Sequence, residues 1–342
     1  MDDSADLAKA LDHAVQLHTD GKLAEAEASY RKILAVDPNH PEVLHLLGVV
    51  ALQVGANETA VQLIGQALAI KPDFVAAWNN MGIAHKALGQ FDDAINCYHQ
   101  VLSFDPDHPG ALSNLGSAHR EKGDVREAVS FYQKSLILQA DAEVFTNLGN
   151  ALEILGDLDG AVANHHRALA LNPNYPGALN NLAVALGKQG KTEDAAECFQ
   201  KSLAINPDAI ILTSLGDTQR ELGKPLDAEK CYLAALSMNP HLAEAQHNLG
   251  VVFQERGELD KAMACYHKAL AIRADYAEAH LSLGHCQLLL GDLEAGLQNQ
   301  AWRWHTKSYR ASTRAFDVAK WDGQDFQGKT LFIHREQGLG DF

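Results

Sequence analysis

The sequence predicts an all-α solenoid of about nine helix pairs, followed by a short tail that holds one strand. Two periodic features predict it. A glycine recurs every 33 or 34 residues from Gly21 to Gly291. A small residue, alanine or glycine, stands seven positions before each of these glycines and again five positions after it. Each repeat of this length is one structural unit whose apolar surface needs a neighbour, so the repeats stack into an array.

The recurring glycines predict where the first helix of each pair ends. They follow apolar runs with helical periodicity and suit the left-handed conformation that ends a helix. They are Gly21, Gly55, Gly89, Gly123, Gly156, Gly190, Gly223, Gly257 and Gly291. Acidic residues such as Asp92 and Asp93 then begin a second helix, where the helix dipole favours negative charge. A proline follows most second helices, for example Pro72, and ends them.

The residue seven positions before each glycine, called the small position below, predicts close packing within a pair. A larger side chain there would force the two helix axes apart. The nine small positions are Ala14, Gly48, Gly82, Gly116, Gly149, Ala183, Gly216, Gly250 and Gly284. Each pair is therefore expected to be a tightly packed antiparallel hairpin of helices.

Charge divides the 342-residue chain near residue 300. The formal net charge is −16, and residues 301–342 hold seven basic and five acidic side chains, which leaves −18 for residues 1–300. Nucleic acid and anionic membranes bind basic surfaces, so neither is an expected partner. No apolar run approaches the ~18 residues that a membrane span needs, and the acidic start differs from a signal peptide. We therefore expect a cytoplasmic protein without membrane insertion.

The repeat resembles the tetratricopeptide repeat (TPR). In the third repeat the residues that carry this resemblance are Trp78, Met81, Gly82, Ala94, Tyr98 and Pro106. The predicted solenoid domain covers residues 1–305, although Ala140 and Ala274 replace the proline in two repeats. The resemblance implies a right-handed superhelix in which the first helix of each pair lines a concave groove.

An asparagine recurs two positions before the small position in many repeats. These residues are Asn80, Asn114, Asn147, Asn181 and Asn248, and serines interrupt the row at Ser214 and Ser282. A carboxamide both donates and accepts hydrogen bonds, so a row of them can hold an extended peptide backbone without reading its sequence. The row resembles the asparagine ladder in the repeats of protein O-GlcNAc transferases, which implies client proteins or peptides as partners. The alternative is that these amides bond within the scaffold.

Cysteines and histidines predict neither a disulfide framework nor a metal site. Equivalent positions in stacked repeats lie about 8–10 Å apart, beyond the ~7 Å between Cα atoms that a disulfide can bridge. The cysteines at one such position are Cys97, Cys198, Cys231 and Cys265. Among the seventeen histidines, no HxxxH spacing gathers three ligands on one surface. We expect reduced, partly buried thiols, no metal and no catalytic group in the repeats.

The tail, residues 306–342, predicts a linker and the start of an incomplete α/β domain. Residues 331–334 have the pattern of a strand, and the glycine-rich turn 336–341 follows it, where α/β folds place ligands. Residues 323–330 match the phosphate-loop pattern formally, but they precede a strand instead of following one. ATP binding through Lys329 is therefore only a remote alternative.

With Trp302, Trp304 and Trp321, this turn is similar to the junction in bacterial proteins that join TPRs to a glycosyltransferase-like domain of two Rossmann halves. In the related heptosyltransferase-like enzymes a Gly–Asp pair faces the cleft, which implies Asp341 as the acceptor base of a full-length parent. A nucleotide-sugar donor is expected only for that parent, because the half that binds it is missing here. We expect a truncated fragment without catalytic residues, cofactor or transferase activity.

Two hypotheses for the function follow. In the first, the solenoid recruits peptides or client proteins for an attached glycosyltransferase. In the second, it is a stand-alone adaptor, or an assembly or secretion scaffold, whose aromatic tail caps the last repeat. The oligomeric state is left open by both.

Overall fold

The computed structural model describes residues 3–306, and every element in that range is helical. In chain order the α-helices α1 to α18 span Asp3–Thr19, Leu23–Val36, Pro41–Gln53, Asn57–Ile70, Val75–Ala87, Phe91–Phe104, Pro109–Lys122, Val125–Leu138, Ala142–Ile154, Leu158–Leu171, Pro176–Lys188, Thr192–Ile205, Ala209–Glu221, Pro225–Met238, Ala243–Glu255, Leu259–Ile272, Ala277–Leu289 and Leu293–Gln300. A 3₁₀ turn, Ala301–His305, follows α18. The predicted strand at 331–334 and the turn that contains Asp341 lie outside the described residues.

The helices pack in consecutive pairs, α1 with α2 through α17 with α18, and each pair is one repeat. This confirms the predicted all-α array of nine helix pairs. The chain forms two compact bodies. The N-terminal body ends at Asn206 and holds α1 to α12, whereas the C-terminal body begins at Pro207 and holds α13 to α18 with the 3₁₀ turn.

The recurring glycines end or follow the first helix of every repeat, as predicted. All nine have a positive φ, between 70° at Gly223 and 101° at Gly123. No other residue of the described range has a positive φ. Glycine suits these positions because a side chain is strained in the left-handed region. The turn between the two helices of a pair is therefore specified locally in each repeat.

The small positions pack against one large side chain on the second helix. A Cβ at Gly216 would lie 2.5 Å from Cε1 of Tyr232, and one at Gly116 would lie 2.7 Å from Cδ1 of Tyr132. Both tyrosines are fully buried. In the fifth repeat His165 replaces this tyrosine and is fully buried too. In five pairs a glycine therefore lets an aromatic ring lie across the first helix, at Gly82, Gly116, Gly149, Gly216 and Gly250, whereas Gly48 meets the aliphatic side chain of Ile64.

Helix starts vary more than helix ends. The carboxylate of Asp141 accepts hydrogen bonds from the backbone N–H groups of Glu143 and Val144 at the start of α9. Asp208 caps α13 in the same way. Pro109 stands in the first turn of α7, where its missing N–H costs nothing. Such local signals mark the starts of α3, α7, α9, α11 and α13, whereas α5, α15 and α17 begin without a capping side chain or a proline.

The last described residues pack on the final repeat. The indole of Trp302 stacks on the imidazole of His280 in α17, with ring centroids 4.1 Å apart and planes at 5°. The 3₁₀ turn contacts both α17 and α18. The 3₁₀ turn, through Trp302, thus covers the end of the last helix pair.

Candidate functional site

The first helices of successive repeats form one continuous surface within each body, called the first-helix face below. In the N-terminal body α3, α5, α7, α9 and α11 contact one another in turn, and in the C-terminal body α13, α15 and α17 do so. Side chains about one repeat apart in sequence bond across this face. It is the surface on which the predicted asparagine row lies.

Three of the five predicted asparagines bond to the preceding repeat, and two of them, Asn80 and Asn114, lie in the N-terminal body. The Nδ2 amide of Asn80 donates to Nε2 of His45 over 2.8 Å. The Nδ2 amide of Asn114 donates to Oδ1 of Asn79 over 3.0 Å. Both acceptors stand three positions before the small position of the preceding repeat. These bonds join α3 to α5 and α5 to α7, so both asparagines help to hold the repeats together.

The bond to Asn80 also fixes the state of His45. Since Asn80 donates, Nε2 of His45 must be unprotonated, which requires a neutral ring. Burial lowers the pKa of His45, against the weaker influence of Glu42. The neutral imidazole is therefore the form that this contact between repeats needs.

The C-terminal body places Asn248 in a polar network. Its Nδ2 amide donates to Oδ1 of Asp217 over 2.7 Å, and the hydroxyl of Tyr232 donates to the same oxygen over 2.6 Å. Its Oδ1 lies 3.0 Å from Nδ1 of His247, and Nε2 of His247 lies 3.1 Å from the hydroxyl of Ser282. Both ends of the Asn248 amide are thus occupied by the scaffold.

Burial is the main influence on the titrating members of this network. Burial raises the pKa of Asp217, while its hydrogen bonds from Tyr232 and Asn248 oppose that shift. Burial lowers the pKa of His247. The network connects α13, α15 and α17 through side chains, and it stabilises the stacking of three repeats.

Asn147 and Asn181 have no such partners. Both are half-buried on α9 and α11, and neither makes a side-chain hydrogen bond within the described residues. The same is true of Asn150 and Asn180, which the predicted row did not include. Four carboxamides on two consecutive first helices are therefore available to a ligand. We call them the amide cluster.

The sequence contained a signal for the two additional asparagines. Asn150 stands one position after the small position Gly149, and Asn180 stands directly before Asn181. The structure shows that residues at these offsets also lie on the first-helix face, because Asn79 and Asp217 occupy them in other repeats. Asn150 and Asn180 stand at offsets different from that of the predicted row, which therefore did not include them.

Ion pairs bracket the amide cluster and the network. Lys188 and Glu153 join α11 to α9 with 2.7 Å between Nζ and Oε1. In the C-terminal body Arg220 and Glu255 join α13 to α15 at 2.9 Å. Pairs this exposed contribute about 0–1 kcal/mol each. They join successive first helices beside these polar groups.

A polar cleft of about 230 Å³ lies between α7, α8 and α9. Its lining includes Asn114, Ser113, Ser135, Gln139 and Glu143. Ser113 and Asn114 of α7 place this cleft beside the first-helix face.

The other chemistry-bearing residues are not assembled into a site. The described range holds no group of three or more His, Cys, Asp or Glu side chains with a geometry for a metal ion. All five cysteines are free thiols, and burial raises the pKa of Cys97 to about 11, which disfavours the reactive thiolate. Between residues 3 and 306 no helix is both long and apolar enough to span a membrane.

Comparison with solved structures shows similar architectures. The chain is similar to a chain in the crystal structure of the APC/C hetero-tetramer Cut9–Hcn1, with a TM-score of 0.58, 20% identity and coverage of 77% of this chain and 52% of the other. It is also similar to PilF of Pseudomonas aeruginosa, with a TM-score of 0.54, 21% identity and coverage of 60% and 95%.

Two proteins are related in sequence. Protein FlbA of Caulobacter vibrioides is 26% identical over 180 residues, 52% of this chain and 30% of FlbA. The uncharacterized protein MJ0572 of Methanocaldococcus jannaschii is 38% identical over 64 residues, 19% of this chain and 74% of that protein. The chain thus matches less than a third of FlbA.

Family models describe almost the whole helical part of the chain. Models for the tetratricopeptide repeat match residues 17–82, 75–108, 111–143, 139–208 and 209–242, and a model for the TPR repeat matches residues 253–291. These matches agree with nine helix pairs that recur every 33 or 34 residues, each with a left-handed glycine after its first helix. The chain belongs to the tetratricopeptide-repeat family.

Proposed function

We propose that this chain is a protein-interaction scaffold and that its amide cluster binds extended segments of partner proteins. The observation that carries the proposal is the absence of side-chain hydrogen bonds at four half-buried amides within the described residues. None of these four amides is among the buried side-chain groups of the described range that lack a partner, so their polar atoms reach the surface where a bound segment can contact them. A peptide backbone supplies one donor and one acceptor per residue, which matches what a carboxamide needs.

The energetics favour a transient complex. A neutral hydrogen bond contributes about 1 kcal/mol, so four amides that each make one bond contribute about 4 kcal/mol. Association costs at least about 4 kcal/mol in lost freedom. The amides alone therefore hold a segment weakly, and neighbouring side chains must add affinity. Weak, sequence-tolerant binding suits a scaffold that handles many clients.

The test compares peptide binding after loss of amides that make no scaffold bond with peptide binding after loss of amides that bond to the preceding repeat. A library of unstructured peptides is immobilised, and binding of the intact chain is measured beside two double variants. Asn147→Ala with Asn181→Ala should weaken capture about tenfold or more, without lowering thermal stability. Asn80→Ala with Asn114→Ala, the matched control, should lower stability because it removes bonds between repeats. Equal capture by the native chain and the first variant would contradict the proposal.

The finer proposal is that the scaffold recruits clients for an attached glycosyltransferase-like domain. Its support is the sequence resemblance of residues 302–341, with Asp341 as acceptor base, and residues after 306 lie outside the described range. The coding sequence beyond residue 342 tests it. A second Rossmann pattern there favours the enzyme, whereas a stop codon favours the stand-alone adaptor, for which the packing of Trp302 on His280 is the supporting contact.

A further inference from the structure

The seventh repeat carries its own carboxylate on the first-helix face. Asp217 follows the small position Gly216 directly and accepts hydrogen bonds from Tyr232 and Asn248. The guanidinium of Arg220, three residues further on, interacts favourably with its charge. A tyrosine and an asparagine therefore bond to this carboxylate, and an arginine that pairs with Glu255 acts on it through its charge. The tyrosine and arginine come from the same repeat and the asparagine from the next.

The fourth repeat, together with the asparagine of the fifth, has the same three residue types at the same offsets. Tyr132 stands sixteen positions after the small position Gly116, as Tyr232 does after Gly216. Arg120 stands four positions after it, as Arg220 does, and Asn147 corresponds to Asn248. No other repeat combines these three residue types at these positions. The fourth repeat differs at one place, where Ser117 replaces the aspartate.

Because Ser117 stands where the seventh repeat has Asp217, there is no carboxylate at this position for Tyr132, Arg120 and Asn147. The hydroxyls of Tyr132 and Ser117 lie 3.2 Å apart, so the tyrosine is bonded to the serine instead. Asn147 makes no side-chain hydrogen bond within the described residues, whereas Asn248 donates to Asp217. Because a serine side chain ends at Oγ, it cannot reach as far along this face as a carboxylate does.

Arg120 keeps donors for a ligand. Its side chain is 25% exposed, and its Nη2 lies 2.6 Å from a carboxylate oxygen of the neighbouring Glu121. A guanidinium has five N–H donors, so this single contact does not exhaust it. Glu121 and Glu143 act electrostatically on Tyr132 alongside Arg120, and both are exposed. Their repulsion of an incoming anion is therefore screened by solvent.

We propose that the fourth repeat binds an acidic side chain of the partner segment, an aspartate or a glutamate, at the place that Asp217 fills in the seventh repeat. The ligand carboxylate accepts hydrogen bonds from Asn147 and Ser117 and pairs with Arg120. This inference rests on the proposed peptide-binding function and deepens it. The first-helix face would then prefer an acidic residue at one position of the peptide, while its other amides bind the peptide backbone.

The experiment uses peptide arrays and the full chain. Extended nine-residue peptides are synthesised in sets that differ only at one position, which is Asp, Glu, Asn, Gln, Ala or Lys. For the native chain we expect the acidic peptides of a set to bind at least fivefold better than their amide counterparts. Each variant is checked for native helix content by circular dichroism before it is compared.

Two variants test the assignment to the fourth repeat. Ser117→Asp supplies the carboxylate from within the chain and should abolish the acidic preference. Arg120→Gln removes the positive charge and should lower the ratio of acidic-peptide to amide-peptide affinity to about one. This second variant still tests the proposal if Ser117→Asp does not fold. Lys201→Gln, which changes an exposed lysine on α12, is the control and should leave the ratio unchanged.

The outcomes separate this inference from the function on which it rests. Peptides that bind without any acidic preference overturn the inference and leave the proposed function standing. An acidic preference that survives in both Ser117→Asp and Arg120→Gln also overturns it, because the carboxylate then binds elsewhere. If no peptide binds the native chain, the proposed function fails, and the inference fails with it.

Discussion

The fourth and seventh repeats use the same residues in opposite ways. In the seventh repeat Asp217 accepts bonds from Tyr232 and Asn248, so the polar groups of the face are satisfied internally. In the fourth, Ser117 replaces that aspartate and Asn147 makes no side-chain bond within the described range. In these two repeats, the residue that follows the small position decides whether the asparagine of the next repeat bonds within the scaffold or remains available to a ligand.

The largest expected effect is a loss of stability in acid, and it arises from His165, the buried side chain opposite the small position of the fifth repeat. Tyr232 is bonded there, but both ring nitrogens of the equivalent His165 are buried without a hydrogen-bond partner. Burial lowers the pKa of His165 to about 4, against the opposing charge of Glu153 and with a small contribution from His166. The ordinary histidine pKa of about 6.5 holds when the chain is unfolded.

His165 should therefore destabilise the fifth repeat in acid. Above about pH 6.5 the ring is neutral in both states, so its titration does not change the stability. As the pH falls from 6.5 towards 4, only the unfolded state takes up the proton, and stability falls by about 1.4 kcal/mol per unit. At pH 4.5 the expected loss is about 2.5 kcal/mol relative to His165→Phe. Phenylalanine suits this position because Phe199 occupies it in the sixth repeat.

Hydrogen exchange of the α10 amide protons between pH 7 and pH 4.5 measures this effect locally. The native chain and His165→Phe should diverge as the pH falls. Parallel loss of protection in the two proteins would show that other groups cause the acid sensitivity.

The next effect is a loss of stability when the Tyr232 ring in the seventh repeat is overpacked. Gly216→Ala should destabilise α13 and α14 by about 2 kcal/mol, because the new methyl group meets the Tyr232 ring at 2.5 Å and the core is overpacked. Gly187→Ala is the matched control, since nothing lies within 4 Å of its Cβ position in α11. It should stabilise the N-terminal body by about 0.5–1 kcal/mol through helix propensity. Urea unfolding measures both changes, and equal effects would contradict the packing account.

A smaller effect separates the two classes of asparagine directly. Asn248→Ala removes a hydrogen bond to the buried carboxylate of Asp217 and should cost about 1.5 kcal/mol. Asn181→Ala removes no side-chain bond within the described residues and should change stability by less than about 0.5 kcal/mol. The two variants are compared by thermal unfolding at pH 7. A large loss for Asn181→Ala would make the amide cluster structural.

The smallest effect concerns the ion pair beside the cluster. Lys188→Ala should cost at most about 1 kcal/mol, because Lys188 is half exposed where it meets Glu153. The loss should shrink at high salt, where exposed charges are screened. A salt-independent loss would indicate that the aliphatic stem of Lys188, rather than its charge, supports the stacking of α9 on α11.

The architecture could be predicted from sequence because its determinants are local and periodic. Every recurring glycine adopts the left-handed conformation that its position after an apolar helix predicts. The small positions could be found for the same reason, since their partners recur at a fixed offset on the second helix. The state of each asparagine could not be predicted. Its partner lies about one repeat away and changes from His45 to Asn79 to Asp217 without any period.

The central claim is that amides without scaffold bonds are the ones that bind partners. The most direct test is the affinity of one captured peptide for the native chain, for Asn147→Ala with Asn181→Ala, and for Asn80→Ala with Asn114→Ala. We expect the dissociation constant of the first double variant to rise about tenfold or more at unchanged melting temperature. In the second, the melting temperature should fall. An unchanged dissociation constant in the first double variant would contradict the account.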